Sequence, residues 1–588
     1  MVQSLLPVFL CIVISNAGVY AASLYKSDGQ IMVLTSKNFS DFVQAQPTLV
    51  QFYLHSCGAC QNYVPIFKRI IKSVAGWQWA FRTAVVDCAD PLNEKLIEEH
   101  NISSFPTFLF FLKGTAPVRV NKMFDEDAFR KKIAGILVEE QQHNRLIPGQ
   151  EIPDAVTISG PDARIIAMII LDFQMNSSVI LRSQISEDSQ FRLVDRTGKV
   201  AFTSSDEDAF RHFLTKNYVT VHKEQPLQDS PGLSNPAENQ TSPVAYSMPV
   251  YAADIIASLQ YLLVRDVGIK ATIKGSDLDA LKEFMAVVSK YLNLGRRYNE
   301  DVAYLRKHIE GMSEITRKEW HELVAGLNIS TDQVQHIACR GSKPYLRGYP
   351  CGLWIMFHSM SVNRFLQSKK PEPKAPIAHA LNRFVPRFFS CSYCAYHFAR
   401  LTSNVRLSHE DVYPDSLNEE PPFPLVVPDP SSLPAAPKSS RDEVLWLNTV
   451  HNLVNKRLSG NPSEDPAAPK VVFPSPEQCR ACWSPAAQAK LKRDKFSATP
   501  DKTDELLAYL VHHYRPSSWR WDGISVSFED VSQWKLVQQP IDAFSTSDMV
   551  LVGVISVCCA AALVVLFALI CCRWRFSKRE HTPLPTSA

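Results

Sequence analysis

The sequence predicts a multidomain protein: two α/β domains, then a mostly α-helical region, then a single C-terminal transmembrane helix. Three observations carry this. Strand-like and helix-like runs alternate over residues 30–145 and, more weakly, over 150–222. From Ala252 onward the apolar residues recur at spacings of three and four, the period of a helix with one buried face. Met549 to Cys572 is a 24-residue stretch without one charge, long enough to cross about 30 Å of hydrocarbon. At 588 residues the chain is also far longer than one core can organise. Its 62 Lys and Arg against 59 Asp and Glu leave a net charge of +3, which argues against a nucleic-acid binder living on a basic field.

Taken in order, residues 1–22 read as a secretory signal, an apolar run followed by the small residues Ala21 and Ala22. The first α/β domain, 23–148, places short β-rich runs at Ile31–Leu34, Thr48–Leu54, Thr83–Asp87 and Thr107–Leu112, with a helix from Tyr63 through Val74. Residues 149–222 repeat that rhythm at Ile165–Leu171, Val179–Leu181 and Lys199–Phe202 and contain no Cys. Residues 223–247, rich in Gln, Ser, Pro and Asn, read as a linker. The region 248–332 is helical at Ala252–Val267, Leu278–Leu292 and Lys318–Leu327. A Cys-bearing helical domain spans 333–525, and eight prolines between Asp411 and Ser440 forbid a continuous helix there, so 411–440 is read as an exposed insertion. A stalk (526–548) leads to the span 549–572. Arg573, Arg575, Lys578 and Arg579 follow at once and put the tail 573–588 in the cytosol. Asn38, Asn101, Asn176, Asn239 and Asn328 each open a glycosylation sequon on the lumenal side.

Nine of the fourteen Cys lie between the signal and the span, and six of those form three C-x-x-C pairs. Three pairs far exceed chance; their purpose is metal, structure or redox. Zinc fits poorly. Cys394 and Cys479 are separated by 84 residues, whereas zinc ribbons commonly have about 15–20, and an oxidising compartment favours disulfides, so no metal is expected. Cys57-Gly-Ala-Cys60 follows a strand and opens a helix, whose N-terminal N–H groups and partial positive charge stabilise a thiolate at Cys57. Forty-five residues beyond Cys60, Phe105-Pro106-Thr107 stands just before a strand, the place of a cis-proline loop. These features together resemble the thioredoxin and protein disulfide isomerase family. The chain departs from that pattern at Ser56, where Trp is usual, and at Ala59, where the isomerases carry His. Without that His this disulfide is expected to be less oxidising.

A second constellation begins at Arg347-Gly-Tyr-Pro-Cys351, where Cys351, Trp354 and His358 share one helix face. Cys391-Ser-Tyr-Cys394 follows with His397 three residues on, and then Asn448, His451, Asn452 and Asn455 recur at helical spacing. Polar faces converging on an aromatic-rich helical core suit a flat heteroaromatic cofactor, stacked on rings and hydrogen-bonded at its edges.

The order Arg-Gly-Tyr-Pro-Cys-x-x-Trp-x-x-x-His, Cys-x-x-Cys-x-x-His, His-Asn-x-x-Asn, Ser463-Glu-Asp-Pro-x-x-Pro-Lys470 and Cys479-x-x-Cys482 resembles the Erv-type FAD-binding sulfhydryl oxidase domain, a four-helix-bundle fold. With the thioredoxin-like domain and the C-terminal span, the whole is similar to the quiescin sulfhydryl oxidase family over roughly 30–525. The resemblance implies that 149–222 is a redox-inactive thioredoxin-like domain and that 248–332 is a degenerate Erv-like domain. It implies catalytic Cys57, Cys60, Cys391 and Cys394, with Cys394 against the cofactor FAD. Arg347, Trp354, His358, His397, His451, Asn452, Asn455 and Lys470 match FAD-contacting positions, and Asn448 shares their helix. Cys339–Cys351 matches a structural disulfide and Cys479–Cys482 a third pair. Cys88 lacks the partner expected near residue 97 and is read as a buried free thiol or as pairing between chains.

The implied activity is an FAD-dependent oxidation of thiols in reduced, unfolded secretory proteins, with O₂ as acceptor and H₂O₂ as product. Electrons would pass from Cys57/Cys60 to Cys391/Cys394 through a transient disulfide expected between Cys60 and Cys391. The linker 223–247 would allow the motion this needs. The expected location is the secretory pathway, as a type I protein of the Golgi membrane or cell surface with lumenal catalytic domains, also shed. The competing reading is a membrane-anchored disulfide isomerase or reductase without flavin.

Overall fold

The computed structural model describes residues 23–144, 155–218, 249–368, 375–405 and 433–524, apart from residues 28, 174–179, 186–188 and 196. The signal 1–22, the linker 223–247, the sequons Asn176 and Asn239, most of the insertion 411–440 and the span 549–572 lie outside them. Among the described residues no helix is long and apolar enough to cross a membrane.

The first domain is built on a five-stranded sheet of β1 (Ile31–Leu34), β2 (Thr48–Tyr53), β3 (Arg82–Asp87), β4 (Thr107–Phe111) and β5 (Val118–Val120). Their order is β1-β3-β2-β4-β5, with β1, β2 and β3 parallel and β4 and β5 antiparallel. Every residue of β2 is buried, as a central strand covered on both faces requires. Around the sheet lie α1 (Phe39–Ala45), α2 (Gly58–Ser73), α3 (Glu94–Glu99) and α4 (Glu126–Asn144). The helix expected from Tyr63 begins five residues earlier, so the first C-x-x-C pair sits in its first turn.

The second domain holds β6 (Ala155–Gly160), α5 (Ala163–Phe173), β7 (Ile180–Ile185), β8 (Phe191–Val194), β9 (Val200–Ser204) and α6 (Glu207–Tyr218), with sheet order β7-β6-β8-β9. The apolar run Ile165–Leu171 is helical. It is apolar all round because both of its sides are buried. Met168 and Leu171 join the first domain's core, while Ile166, Ile169 and Ile170 join the second's. At the end of α5, Asp172 accepts hydrogen bonds from Trp77 and Arg130 of the first domain and from Arg211 of the second.

The helical region opens with α7 (Ala252–Tyr261), which continues as a π-helical turn over Leu262–Val267. It goes on through β10 (Thr272–Lys274), α8 (Gly275–Tyr291), α9 (Arg296–Glu310), β11 (Glu314–Thr316), α10 (Arg317–Ala325) and α11 (Asn328–Thr331). Then come α12 (Gly348–Gln367), α13 (Pro376–Phe388), α14 (Ser392–Leu401), α15 (Ser440–Leu458), α16 (Pro485–Leu491) and α17 (Thr503–Tyr514). The expected boundary at 332 is crossed by packing, since α7 lies against α12 and α8 against α13. Gly352 permits the first contact: a Cβ there would come within 2.1 Å of the Ser258 hydroxyl and 2.4 Å of the Asp254 carbonyl oxygen. The fully buried Asp254 carboxylate accepts the backbone N–H groups of Ile337, Ala338 and Cys339, tying the approach to α12 back onto α7. On the far side of α12 lie α15 and α17.

Candidate active site

Cys57 caps the N-terminus of α2, and its sulfur accepts the backbone N–H of Cys60 at 3.4 Å. Burial pushes its thiol up, but hydrogen bonds from the Cys60 thiol and from the Cys60 and Ala59 backbone, with the charge of Lys122, bring it below the ordinary value. Burial, the hydrogen bond to Cys57 and the Cys57 charge push Cys60 well up. One helix turn thus splits two identical groups into a ready thiolate and a reluctant thiol. Both are free thiols here, as is Cys88, which burial and the neighbouring Asp87 push well up.

The Phe105–Pro106 peptide is cis, and Phe105, just ahead of β4, docks on the helical region. Phe105 N–H donates to the carbonyl of Ser390 at 2.8 Å, and Phe105 forms a parallel bridge with Cys391. Ser392 reaches back to the Phe105 carbonyl and receives a hydrogen bond from Lys122. A single β-bridge thus holds one module's redox segment against the cis-proline loop of the other. Ser56, where Trp is usual, shares a hydrogen bond with the Tyr261 hydroxyl of α7.

Cys391 and Cys394 are disulfide-bonded at the start of α14, as are Cys339–Cys351 and Cys479–Cys482. Cys57, Cys391 and Cys394 all line one cavity of about 820 Å³, in the range that holds cofactors. Cys60 is fully buried behind Cys57 and lines none of it. Of the first pair only Cys57 shares the cavity with Cys391, which favours Cys57 rather than the expected Cys60 as its partner in transfer.

Of the residues expected to hold a cofactor, Arg347, Trp354, His451, Asn455 and Lys470 line the cavity. His451 stacks flat on Trp354 with ring centroids 4.2 Å apart. His358 stands behind it, hydrogen-bonded to His451 at 3.1 Å and stacked on Tyr514. Asn448 and Asn452 face away from the cavity and clamp the backbone of Phe473, which does line it. His397 lies outside the lining, edge-on to Tyr393, and its Nε2 is buried without a hydrogen-bond partner. Cys479 and Cys482 also lie off the cavity. Sequence reasoning missed Arg457, Phe473, His513 and Tyr514. The signal for the last two was the helical period of Thr503–Tyr514, a stretch without Cys.

Burial, with His513 nearby, pushes His358 to about 3; burial with Arg457 and Arg400 pushes His397 to about 3; burial and His512 push His513 to about 4, and burial with His358 pushes His451 well down. These imidazoles are neutral, suited to stacking and neutral hydrogen bonds rather than to proton transfer. At another wall Lys470 is pushed down by burial and by Arg347, and Arg457 by burial. Arg347 and Lys470, close enough to repel each other, with Arg457 elsewhere in the lining, call for an anion beyond what Glu464 and Asp465 supply. Arg347 itself has φ +61°, backbone strain of the kind held at ligand sites. The Ser463 hydroxyl lines the cavity buried and without a partner. Flat aromatic faces, a cationic wall and an orphaned hydroxyl fit FAD, a flat ring system with a pyrophosphate. Among the described residues no cluster has the composition of a metal site.

Comparison with known proteins agrees. Residues 30–135 match the family model Thioredoxin, 247–342 match Flavin adenine dinucleotide (FAD)-dependent sulfhydryl oxidase, and 351–416 match the Erv1 / Alr family. Sulfhydryl oxidase 1 of Cavia porcellus is 26% identical over 84% of this chain and 83% of its own length. Sulfhydryl oxidase 1 of Rattus norvegicus is 28% identical over 80% of this chain and 66% of its own. The sulfhydryl oxidase fragment of human QSOX1 aligns over 47% of this chain and all of its own at 26% identity, with a TM-score of 0.37. The class is that of FAD-dependent sulfhydryl oxidases, enzymes that introduce disulfide bonds. Within it, a thioredoxin module joined to an Erv-type domain, with similarity to sulfhydryl oxidases 1 and 2 over about 80% of the chain, makes the quiescin sulfhydryl oxidases the family this chain resembles.

Proposed function

We propose that the chain oxidises dithiols of reduced, unfolded secretory proteins by relaying two electrons through Cys57/Cys60 and then Cys391/Cys394. A substrate thiolate attacks the oxidised first pair at Cys57, and the substrate's second thiol resolves the mixed disulfide. The reduced Cys57, its thiolate favoured by the α2 N-terminus, attacks Cys391 and releases Cys394 as thiolate. Cys60 then attacks Cys57, which restores the first disulfide and frees Cys391. The docked Phe105–Cys391 bridge, with Cys57, Cys391 and Cys394 on one cavity, is the observation that supports this reading most.

Arg347, Lys470 and Arg457 would hold the pyrophosphate of FAD, and Trp354 and His451 would offer flat faces to its rings. Bound there, FAD supplies a two-electron acceptor that O₂ reoxidises with formation of H₂O₂. The protein's part is to keep Cys394 beside it and water away. Since Cys57 is only 4% exposed while docked, substrates reach it only when residues 390–392 release the Phe105 loop. The composition of 223–247 suits the motion.

The same reading includes a type I membrane protein of the secretory pathway, with signal 1–22, span 549–572, lumenal catalytic domains and release by shedding. Asn38 and Asn101 are exposed sequon residues and acceptable glycan sites. Asn328 is half-buried and spends its amide on Asp301, which makes it the poorest described candidate. A visible absorption spectrum of the purified chain, followed by an oxygen-electrode trace with a dithiol, tests the whole. A colourless protein that takes up no flavin and no O₂ overturns it.

A further inference from the structure

The cofactor cavity is not closed by the helical region alone. Part of its wall is Ser56, Cys57, Gly58, Ala59, Gln61 and Asn62, the N-terminal end of α2 and the two residues before it in the thioredoxin module. Two of these residues reach across. Asn62 Oδ1 accepts the backbone N–H of Ser463 at 3.0 Å, and the Gln61 amide donates to the carbonyl of Tyr345. Tyr345 lies two residues before Arg347, and Ser463 opens the segment that ends at Lys470. The two segments are themselves joined, since Asp465 accepts the Ser342 hydroxyl and N–H. The contacts therefore fall on the two backbone segments that carry Arg347 and Lys470, two of the three cations in the lining.

We propose that Asn62, seconded by Gln61, is a positioning residue for the cofactor site of the other module: it holds segments 342–347 and 463–470 in the arrangement that grips the pyrophosphate. The inference rests on the FAD reading above. By linkage the effect runs both ways. Docking of the thioredoxin module slows cofactor release, and a bound cofactor orders the two segments on which α2 docks, keeping Cys57 covered. No residue of α2 needs to touch the cofactor for this to hold.

The test uses the full chain purified with its flavin. Release of FAD, followed by its fluorescence on dilution, is expected to be about 3- to 10-fold faster in Asn62→Ala, the size of one lost hydrogen bond. Asn62→Asp keeps the accepting oxygen and should release at the parent rate, which a general loosening of the fold would not reproduce. A second measurement needs no variant. Stripping FAD from the reduced parent chain should speed alkylation of Cys57, and adding FAD back should restore its protection. Parent-like release in Asn62→Ala, equal acceleration in Asn62→Asp, or Cys57 labelling indifferent to FAD each overturns the inference while leaving the oxidase reading intact. A parent chain that never binds flavin overturns both.

Discussion

At the scale of single residues, the chemistry depends on two sulfurs three positions apart being made unlike. Cys57 takes the helix N-cap, where N–H groups converge on it, and Cys60 lies inside the helix with a charged neighbour and no water. In the reduced chain, iodoacetamide is expected to label Cys57 first, with a pH midpoint below that of an ordinary thiol. Because the Cys60 and Cys88 values are raised, both should stay unlabelled at neutral pH and react only as pH climbs. Peptide mass spectrometry across pH reads this, and equal labelling of 57 and 60 would contradict it. Cys391→Ser removes the sulfur that receives the transfer. It should abolish O₂ uptake driven by protein dithiols, and full activity in that variant would refute the relay. The spacing of these Cys was legible in the sequence because C-x-x-C at a strand-to-helix junction is local chemistry. Which sulfur faces the partner module was not legible, since burial of Cys60 is a property of the packed domain.

At the scale of elements, the sequence located most strands of the first domain to within a residue, because fully buried strands are unbroken apolar runs. It missed α9, where charged residues dominate and the buried Tyr298, Val302, Leu305 and Ile309 are thinly spread. It left the type of α5 open, since a helix buried on two sides has no polar face to set a period. The join between α7 and α12 was also invisible: Asp254 reads as one more charge on a helix until three N–H groups converge on it. Asp254→Ala should destabilise the protein by about 2–4 kcal/mol, because buried donors lose a charged acceptor. Asp254→Asn, which keeps an accepting oxygen, should cost less. Thermal unfolding compares the two, and parent-like stability in the Ala variant would show that the clamp contributes nothing.

At the scale of the whole molecule, function depends on two modules distant in sequence meeting at one cavity. Cys60→Ser combined with Cys394→Ser removes both resolving thiols, so on oxidation with glutathione disulfide the docked arrangement should accumulate a Cys57–Cys391 disulfide, the two electrons passing to glutathione. Cys57→Ser with Cys394→Ser should not build the corresponding link, because Cys60 stays behind the surface. Non-reducing peptide mapping distinguishes them, and a Cys60–Cys391 link in the second variant would reverse the assignment. The Asp172 clamp with Trp77, Arg130 and Arg211 joins the two thioredoxin-like domains through their shared helix.

The sequence by itself determined the kinds of chemistry present: three C-x-x-C pairs, the cis-proline position, the aromatic and cationic residues for a flat anionic cofactor, and the order of the domains. These survive in one dimension because each depends on residue type at short spacing. Tertiary structure alone decided which candidates share a wall. It set His358, Asn448 and Asn452 behind the cavity, brought in Phe473, His513 and Tyr514, and chose Cys57 over Cys60. The reason is physical: contact between segments hundreds of residues apart is set by packing and burial, which no local spacing encodes.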